Sequence, residues 1–299
     1  RYNLNKGDHI LLTKMEHHSN IVPWQILAKE MNLNIDYISI NSHGDLDLSN
    51  LDQLITNKTK LVSIIHQSNV LGTINPIKEI IDKAHDRGAI VLVDGSQSIV
   101  HQKIDVKGLD CDFFVFSGHK IYGPTGIGIL YGKEKTLKQM KPFMGGGEMI
   151  ESVTEEGFTV NQLPWRFEPG TPAISEAVAL KEAILYIQNI GVDSIFEYEN
   201  NLTSYMYKQL NEINNLKIYG PEFNRGPIIT FNIKDVHSYD LTKILDEMNI
   251  AIRSGHHCAQ PLLNSLGISS SNRISLAFYN TVEEVDVFIE CLEKALKIL

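Results

Sequence analysis

Short apolar runs alternate with amphipathic stretches over the first half of the chain. Three of the runs, at residues 61–65 (interrupted only by Ser63), 89–93 and 113–116, are almost wholly apolar, which is typical of strands buried on both faces of a sheet. Between the first two, the residues from Ile77 to Arg87 have helical spacing and precede Gly88, a residue type that commonly ends helices. The alternation predicts a mostly parallel sheet with right-handed crossovers. Further strands are predicted at 7–14, 35–40 and 126–131, and helices at 21–31 (capped by Ser19 or Asn20) and 49–55.

The second half of the chain has a different pattern. The three glycines at 145–147 precede a segment, 148–160, that is predicted to form a hairpin or mobile loop. Two long helical patterns, 173–190 and 194–213, then meet near Gly191, where we place a domain boundary. Beyond it, strands at 216–219, 227–233, 251–253 and 273–278 and helices at 239–248 and 282–299 predict a smaller domain. The predicted fold class is α/β, with a large domain over residues 1–190 and a small C-terminal α/β domain over 191–299.

Composition narrows the class of protein. Hydrophobic residues make up 43% of the 299 residues and charged residues 21%, as in an ordinary globular protein. The net charge of −9 argues against nucleic acid or an anionic membrane as the main partner. Three scattered cysteines without a CxxC spacing predict neither a disulfide framework nor a metal site. No apolar run approaches the roughly 18 residues that span a bilayer.

Two charged residues lie at the ends of predicted buried strands. Lys120 follows the run 113–116, where an ammonium loses hydration unless it has a partner or a function. It either extends back to solvent or, with a lowered pKa, forms an imine with an aldehyde cofactor. Asp94 ends the run 89–93, where it can cap a helix or hold a pyridinium nitrogen protonated, as enzymes that use pyridoxal 5′-phosphate (PLP) require.

Three motifs occur together in the chain and carry a resemblance to a known family. They are Asp-Gly-Ser-Gln at 94–97, Ser-Gly-His-Lys at 117–120 and Arg-Ser-Gly-His-His-Cys-Ala-Gln-Pro at 253–261. In this combination the chain resembles the cysteine desulfurases of the class-V aminotransferase group, most closely the SufS type (group II), from about Gly7 to its C-terminus. The resemblance implies the PLP fold type I. Because Arg1 is not a methionine and the family's Gly-Thr-Thr phosphate loop is missing, the chain is expected to lack an N-terminal segment.

The resemblance also implies how PLP is bound. Lys120 would hold the cofactor and move the substrate's Cα proton, Asp94 would pair with the ring nitrogen, and His17 would stack on the ring. The family further implies that Asn69 and Gln97 lie near the ring hydroxyl. It implies that Ser117 and His119 bind the phosphate, and that Thr171 reaches the phosphate of the opposite subunit in a homodimer. From the residues alone, either amide can equally satisfy loop backbone, and Thr171 can belong to an ordinary turn.

Cys258 is the second predicted centre. It lies in a loop rich in Gly, His and Pro, whereas Cys111 and Cys291 are better explained as structural. Arg253 and the adjacent histidines can favour its thiolate. By resemblance, Arg273 clamps the substrate carboxylate, and Arg253 is grouped with it as substrate-binding.

Together these residues imply one reaction, the conversion of L-cysteine to L-alanine with a persulfide left on Cys258. The sulfur would pass to an acceptor protein of the SufE/SufU kind for iron–sulfur cluster assembly, in the cytoplasm, or in an organelle if a targeting segment has been lost. The first alternative is a selenocysteine lyase, since selenium is the better leaving group. The second is a truncated, non-catalytic partner of a sulfur-mobilisation complex. An ordinary aminotransferase is less favoured because it gives Cys258 no role.

Overall fold

Six strands form the main sheet in the computed structural model, which describes residues 4–299. The strands are β1 (His9–Thr13), β2 (Asn34–Ile38), β3 (Thr59–Ile65), β4 (Ile90–Asp94), β5 (Phe113–Ser117) and β6 (Gly128–Gly132). Their order is β2-β1-β3-β4-β5-β6. The first five are parallel, and β6 turns back antiparallel beside β5. The predicted α/β fold with a mostly parallel sheet is therefore confirmed. Because β2 and β3 lie on opposite sides of β1, a crevice opens at the carboxyl ends of these strands.

Helices cover both faces of this sheet, and the longer ones match the sequence pattern. Ile77, Ile80, Ile81 and Ala84 repeat at helical spacing and are buried in the core under the sheet. Gly88, with φ of 74°, follows that helix as predicted. The helices of this half of the chain are α1 (Val22–Met31), α2 (Leu51–Leu54), α3 (Ile77–Asp86), α4 (Ser98–His101), α5 (Val106–Leu109) and α6 (Glu134–Gln139).

The predicted cap of α1 is wrong. Ser19 and Asn20 lie in a short 3-10 helix, His18–Asn20, and the residue that caps α1 is Ile21, without a side-chain hydrogen bond. The side chain of Asn20 is engaged elsewhere: its Nδ2 donates to Glu16 Oε2 at 2.7 Å, and its Oδ1 accepts from Ser63 Oγ at 2.6 Å. The side chain of Asn20 therefore belongs to a buried hydrogen-bond network at the strand ends and does not cap the helix.

A hairpin and two long helices connect the main sheet to a second one. The hairpin predicted after the three glycines is confirmed by the antiparallel pair β7 (Ile150–Val153) and β8 (Phe158–Val160). Helices α7 (Ile174–Ile190) and α8 (Val192–Asn211) meet at Gly191, whose φ is 97°. Helix α8 packs on α4 and on the C-terminal elements, so it touches both halves of the chain. The division at residue 190 stays a prediction.

The second sheet is antiparallel and has four strands in the order β11-β12-β10-β9. Its core contains Phe231, Leu241, Leu245 and Leu292, all fully buried. Strand β11 begins two residues later than predicted. Helix α10, which begins at Gln260 within the predicted cysteine loop, was not predicted. The elements are β9 (Leu216–Tyr219), β10 (Ile228–Ile233), α9 (Ser238–Glu247), β11 (Arg253–Gly255), α10 (Gln260–Ser265), β12 (Ser271–Ser275) and α11 (Val282–Ala295). No helix within residues 4–299 is both long and apolar enough to cross a membrane.

Candidate active site

The loops at the carboxyl edge of the main sheet hold four of the predicted site residues. His17 follows β1, Asn69 follows β3, Asp94 ends β4, and Lys120 lies in the 3-10 helix Gly118–Ile121 after β5. Since these four strands are parallel, their carboxyl ends meet at one edge. The sequence therefore placed these residues at the correct edge.

Hydrogen bonds hold Asp94 in place through one of its two carboxylate oxygens and its backbone carbonyl. The carboxylate is buried, its Oδ1 accepts a hydrogen bond from Ser96 N at 2.9 Å, and its backbone carbonyl accepts from His66 N at 2.9 Å. Gly95 has to be glycine because a Cβ there would lie 1.9 Å from the ring of Phe114. Oδ2 accepts no hydrogen bond from residues 4–299, so it is available to a donor outside the chain.

Lys120 is partly buried and its charge is disfavoured. Burial lowers the pKa of its ammonium. The negative charge of Asp94 opposes that shift, and the nearby Arg273 adds to it. Tight packing behind the lysine fixes the turn, since a Cβ on Gly118 would lie 2.8 Å from the side chain of Ile127. A lysine with a lowered pKa that forms no side-chain hydrogen bond within residues 4–299 is suited to bonding to a carbonyl carbon.

His17 is held by its own turn. Its Nδ1 accepts from Ser19 N at 3.1 Å and lies 2.7 Å from Ser19 Oγ. Burial lowers the pKa of the imidazole, and the positive charge of Lys120 lowers it further, against the opposing effect of Asp94. A neutral, oriented ring beside Asp94 and Lys120 is suited to stacking on a flat cofactor.

Arg273 and Arg253 lie directly opposite each other on β12 and β11. The Nη1 of Arg273 donates to Asn69 O at 2.9 Å, while its Nε is buried without a partner. Burial lowers the pKa of Arg273 to about 10, and the charge of Arg253 contributes, so the group is still protonated at neutral pH. Two cations that face each other, one with an unused buried donor, favour binding of a carboxylate.

Cys258 lies in the loop between β11 and α10, partly exposed, with its Sγ 3.8 Å from Nη2 of Arg253. A negative charge at Cys258 acts to raise the pKa of Lys120, against the effect of burial. Cys111 is fully buried, and burial raises the pKa of its thiol to about 11, as suits a structural cysteine.

Four further residues were predicted to contact the cofactor. Ser117 and Gln97 precede short helices, and neither side chain forms a capping hydrogen bond. His119 is exposed beside Lys120, and Thr171 is exposed in the loop before α7. Their contacts with a cofactor stay predictions.

Comparison with known proteins decides the family. The model of the class-V aminotransferases matches residues 1–288. The chain belongs to the class-V aminotransferase family.

Individual relatives agree with this assignment. A probable cysteine desulfurase of Halalkalibacterium halodurans is 49% identical over 294 residues, which is 98% of this chain and 72% of the relative. The crystal structure of the cysteine desulfurase CsdA from Escherichia coli superposes with a TM-score of 0.96 at 35% identity, covering 99% of this chain and 74% of that one. The apo cysteine desulfurase of Thermococcus onnurineus NA1 gives 0.95 at 40% identity, with the same coverage. This class-V aminotransferase thus has the fold of solved cysteine desulfurases.

One buried acid of this class-V aminotransferase was not predicted as part of the site. Glu16 is fully buried beside His17, and burial raises the pKa of its carboxyl to about 8. It accepts hydrogen bonds from Thr13 Oγ1 at 2.7 Å and from Ile65 N at 3.0 Å, and so connects β1 to β3. The available signal was its position: like Asp94, it is an acid at the end of a buried strand.

Proposed function

We propose that the chain is a PLP-dependent cysteine desulfurase of the SufS type, which converts L-cysteine to L-alanine and retains the sulfur as a persulfide on Cys258. The observation that carries the proposal is that the cysteine loop reaches the edge of the main sheet that holds Lys120: Cys258 O accepts from His18 N at 2.8 Å, and Cys258 Sγ lies 3.8 Å from Arg253 Nη2. The reaction requires two groups, one that moves a proton and one that accepts sulfur. The descriptions of the relatives and solved structures as cysteine desulfurases support the same conclusion.

The residues at the strand ends fit PLP. Lys120 has a lowered pKa, which leaves more neutral amine to bond with the aldehyde. The free Oδ2 of Asp94 can accept the proton-bearing pyridinium nitrogen, and His17 can stack on the ring. Ser117 and His119, close to Lys120 in the chain, would bind the phosphate, and Asn69 and Gln97 would lie near the ring hydroxyl. When bound, PLP withdraws electrons from the substrate Cα and makes its proton removable.

Different residues of the chain bind the substrate and move its proton. Arg273 binds the substrate α-carboxylate through its unused donors, with Arg253 opposite it. With PLP bound, Lys120 would serve as the general base for the substrate's Cα proton. Arg253 also contacts the Cys258 thiol, since its Nη2 donates to Sγ at 3.8 Å.

The sulfur transfer balances without an external oxidant. The Cys258 thiolate attacks the substrate sulfur, and an S–S bond forms as the Cβ–S bond breaks. The electron pair of the broken bond stays on Cβ, which takes a proton and becomes the methyl group of alanine. Carbon is reduced and sulfur is oxidised to the persulfide level, so one thiol and one cysteine give one persulfide and one alanine.

The proposal extends to partners. The persulfide sulfur passes to an acceptor protein of the SufE/SufU kind for iron–sulfur cluster assembly, and the site of action is the cytoplasm.

The active form is a homodimer in which Thr171 reaches the cofactor phosphate of the opposite site. Support for a dimer comes from α7, which follows Thr171 and exposes Ile174 and Val178 by 60% each and Leu185 by 39%. These three residues share one helix face that a second copy can cover.

The experiment is a single turnover. The chain, loaded with PLP, is mixed with L-cysteine, and alanine and protein-bound persulfide are measured together. The proposal expects equal amounts of the two products, and it expects Cys258→Ala to retain the cofactor but form no persulfide. Desulfuration of L-cysteine by Cys258→Ala at the normal rate would contradict it. Cleavage of L-selenocysteine by that variant would identify the lyase alternative as a second activity independent of Cys258.

A further inference from the structure

The loop that carries Cys258 has an unusual backbone. His257 has φ of 51° and Cys258 has φ of 56°, two consecutive left-handed residues that are not glycine, and Gly255 precedes them at 116°. Left-handed conformations are uncommon for residues with a Cβ and persist only where the surroundings hold them. The contacts of this loop therefore decide where the thiol lies.

Part of the support comes from within the C-terminal sheet. The buried imidazole of His257 lies 3.1 Å from both the carbonyl oxygen and the hydroxyl of Ser271 on β12. Within the loop itself, His256 Nδ1 accepts from Cys258 N at 3.1 Å. These contacts join the loop only to itself and to the C-terminal sheet, so they do not by themselves fix the position of the thiol relative to the main sheet.

Two residues connect the loop to the main sheet: the amide of Asn69, after β3, donates to His257 O at 2.8 Å, and His18 contacts the chain on the other side of the cysteine. The backbone N–H of His18 donates to Cys258 O at 2.8 Å, and its Nε2 accepts from Gln260 N at 3.0 Å. One residue thus holds the chain on both sides of Ala259. His18 belongs to the 3-10 helix after β1, 242 positions from Gln260 and adjacent to His17.

The side-chain contact requires a particular form of the imidazole. To accept from Gln260 N, the Nε2 of His18 must carry no proton, so the ring is neutral with its proton on Nδ1. Burial lowers the pKa of His18, and so does the neighbouring His256, whose ring centroid is 5.6 Å away. The surroundings therefore favour the form that the contact needs.

We infer that His18 is a positioning residue, which docks the cysteine loop on the main sheet through its Nε2 and thereby holds the Cys258 thiol at the substrate sulfur. The inference deepens the proposed function and rests on it for the role of the thiol. The docking itself is a statement about this chain alone, and it can be measured without turnover.

The test compares three variants of His18. His18→Gln keeps an oxygen acceptor near the position of Nε2, whereas His18→Asn places its amide near Nδ1 and His18→Ala has no acceptor. The readouts are hydrogen–deuterium exchange of the peptide containing residues 258–260 and the rate of Cys258 alkylation. Loss of one neutral hydrogen bond should raise both by about five- to tenfold in the Ala and Asn variants, and His18→Gln should stay near the wild type. His43→Ala, at an exposed turn, is the matched control.

Two outcomes would overturn the inference: exchange and alkylation in His18→Ala equal to the wild type, or a loop in His18→Gln as loose as in His18→Ala. In the loaded protein, His18→Ala should still show the cofactor's spectral response to L-cysteine while persulfide formation falls by a similar factor. If the wild-type chain forms no persulfide, the proposed function fails. The exchange measurements still decide the role of His18.

Discussion

The side-chain amide of Asn69 donates to the carbonyl of His257 at 2.8 Å, although the two residues are 188 positions apart. The backbone carbonyl of Asn69 in turn accepts from Arg273 at 2.9 Å. The loop after β3 therefore supports both the residue before the proposed nucleophile and the arginine proposed to bind the substrate. The proposed sulfur acceptor and the proposed carboxylate-binding group therefore share one support.

Asn69→Ala removes the donor and leaves the His257 carbonyl without it. We expect the free energy of unfolding to fall by about 1–3 kcal/mol, the usual cost of an unsatisfied buried polar group. Persulfide formation should fall as well, because the loop loses one of its anchors. Urea unfolding and a persulfide assay check this, with Asn211→Ala at the exposed end of α8 as the control. A variant as stable as the control would show that the contact contributes nothing.

Arg273→Lys keeps the positive charge but loses the planar fork that lets one residue contact Asn69 and a carboxylate together. We expect KM for L-cysteine to rise about ten- to a hundredfold, as for loss of charge-assisted hydrogen bonds, with a smaller change in kcat. Arg87→Lys, at an exposed site, should leave both constants unchanged. Steady-state kinetics measure both constants. An unchanged KM in Arg273→Lys would show that this residue does not bind the substrate.

Lys120→Met tests the lowered pKa in the chain without cofactor. Folding lowers the pKa of Lys120, mainly through burial, so the folded state is destabilised at pH values where the unfolded lysine is charged. The variant should therefore be more stable than the wild type at pH 7, and the difference should shrink as pH approaches the ordinary pKa of lysine. Denaturant titrations from pH 7 to 10 measure it. Lys29→Met at an exposed position is the control, and a pH-independent difference would refute the account.

Thr171→Ala tests the proposed shared site. If Thr171 reaches the opposite subunit's cofactor phosphate, PLP binding and dimerisation stabilise each other by mass action. Cofactor retention should then fall on dilution, and fall further in the variant. Sedimentation at several concentrations, followed at the cofactor's absorbance, measures both. A monomer that keeps PLP at every dilution would rule the arrangement out.

The centre of the main sheet was predictable because β3, β4 and β5 contain almost wholly apolar runs. The predicted strand at 113–116 lies within Phe113–Ser117, and the strand at 61–65 within Thr59–Ile65. Helices α4 and α10, of four and six residues, were missed because they are too short to show a helical period. Strand β11 was displaced because this short edge strand is defined by its pairing with β12 rather than by its own pattern.

The site was predictable where chemistry follows a strand end, as with Asp94 and Lys120. The contacts that position the cysteine loop were not, because each joins segments far apart in the chain. No local pattern shows that Asn69 reaches His257 or that His18 accepts from Gln260. The buried state of Glu16 likewise depends on its bonds to β1 and β3 in the folded protein.

The most direct test of the central claim is to locate the sulfur after one turnover. The PLP-loaded chain is mixed with L-cysteine, trapped by alkylation, digested and analysed by mass spectrometry. Our account predicts one added sulfur on the peptide that carries Cys258, none on Cys111 or Cys291, and none anywhere in Lys120→Ala, because no proton is removed from the substrate. Sulfur on Cys258 in Lys120→Ala at the wild-type level, or on another cysteine in the wild type, would contradict the account.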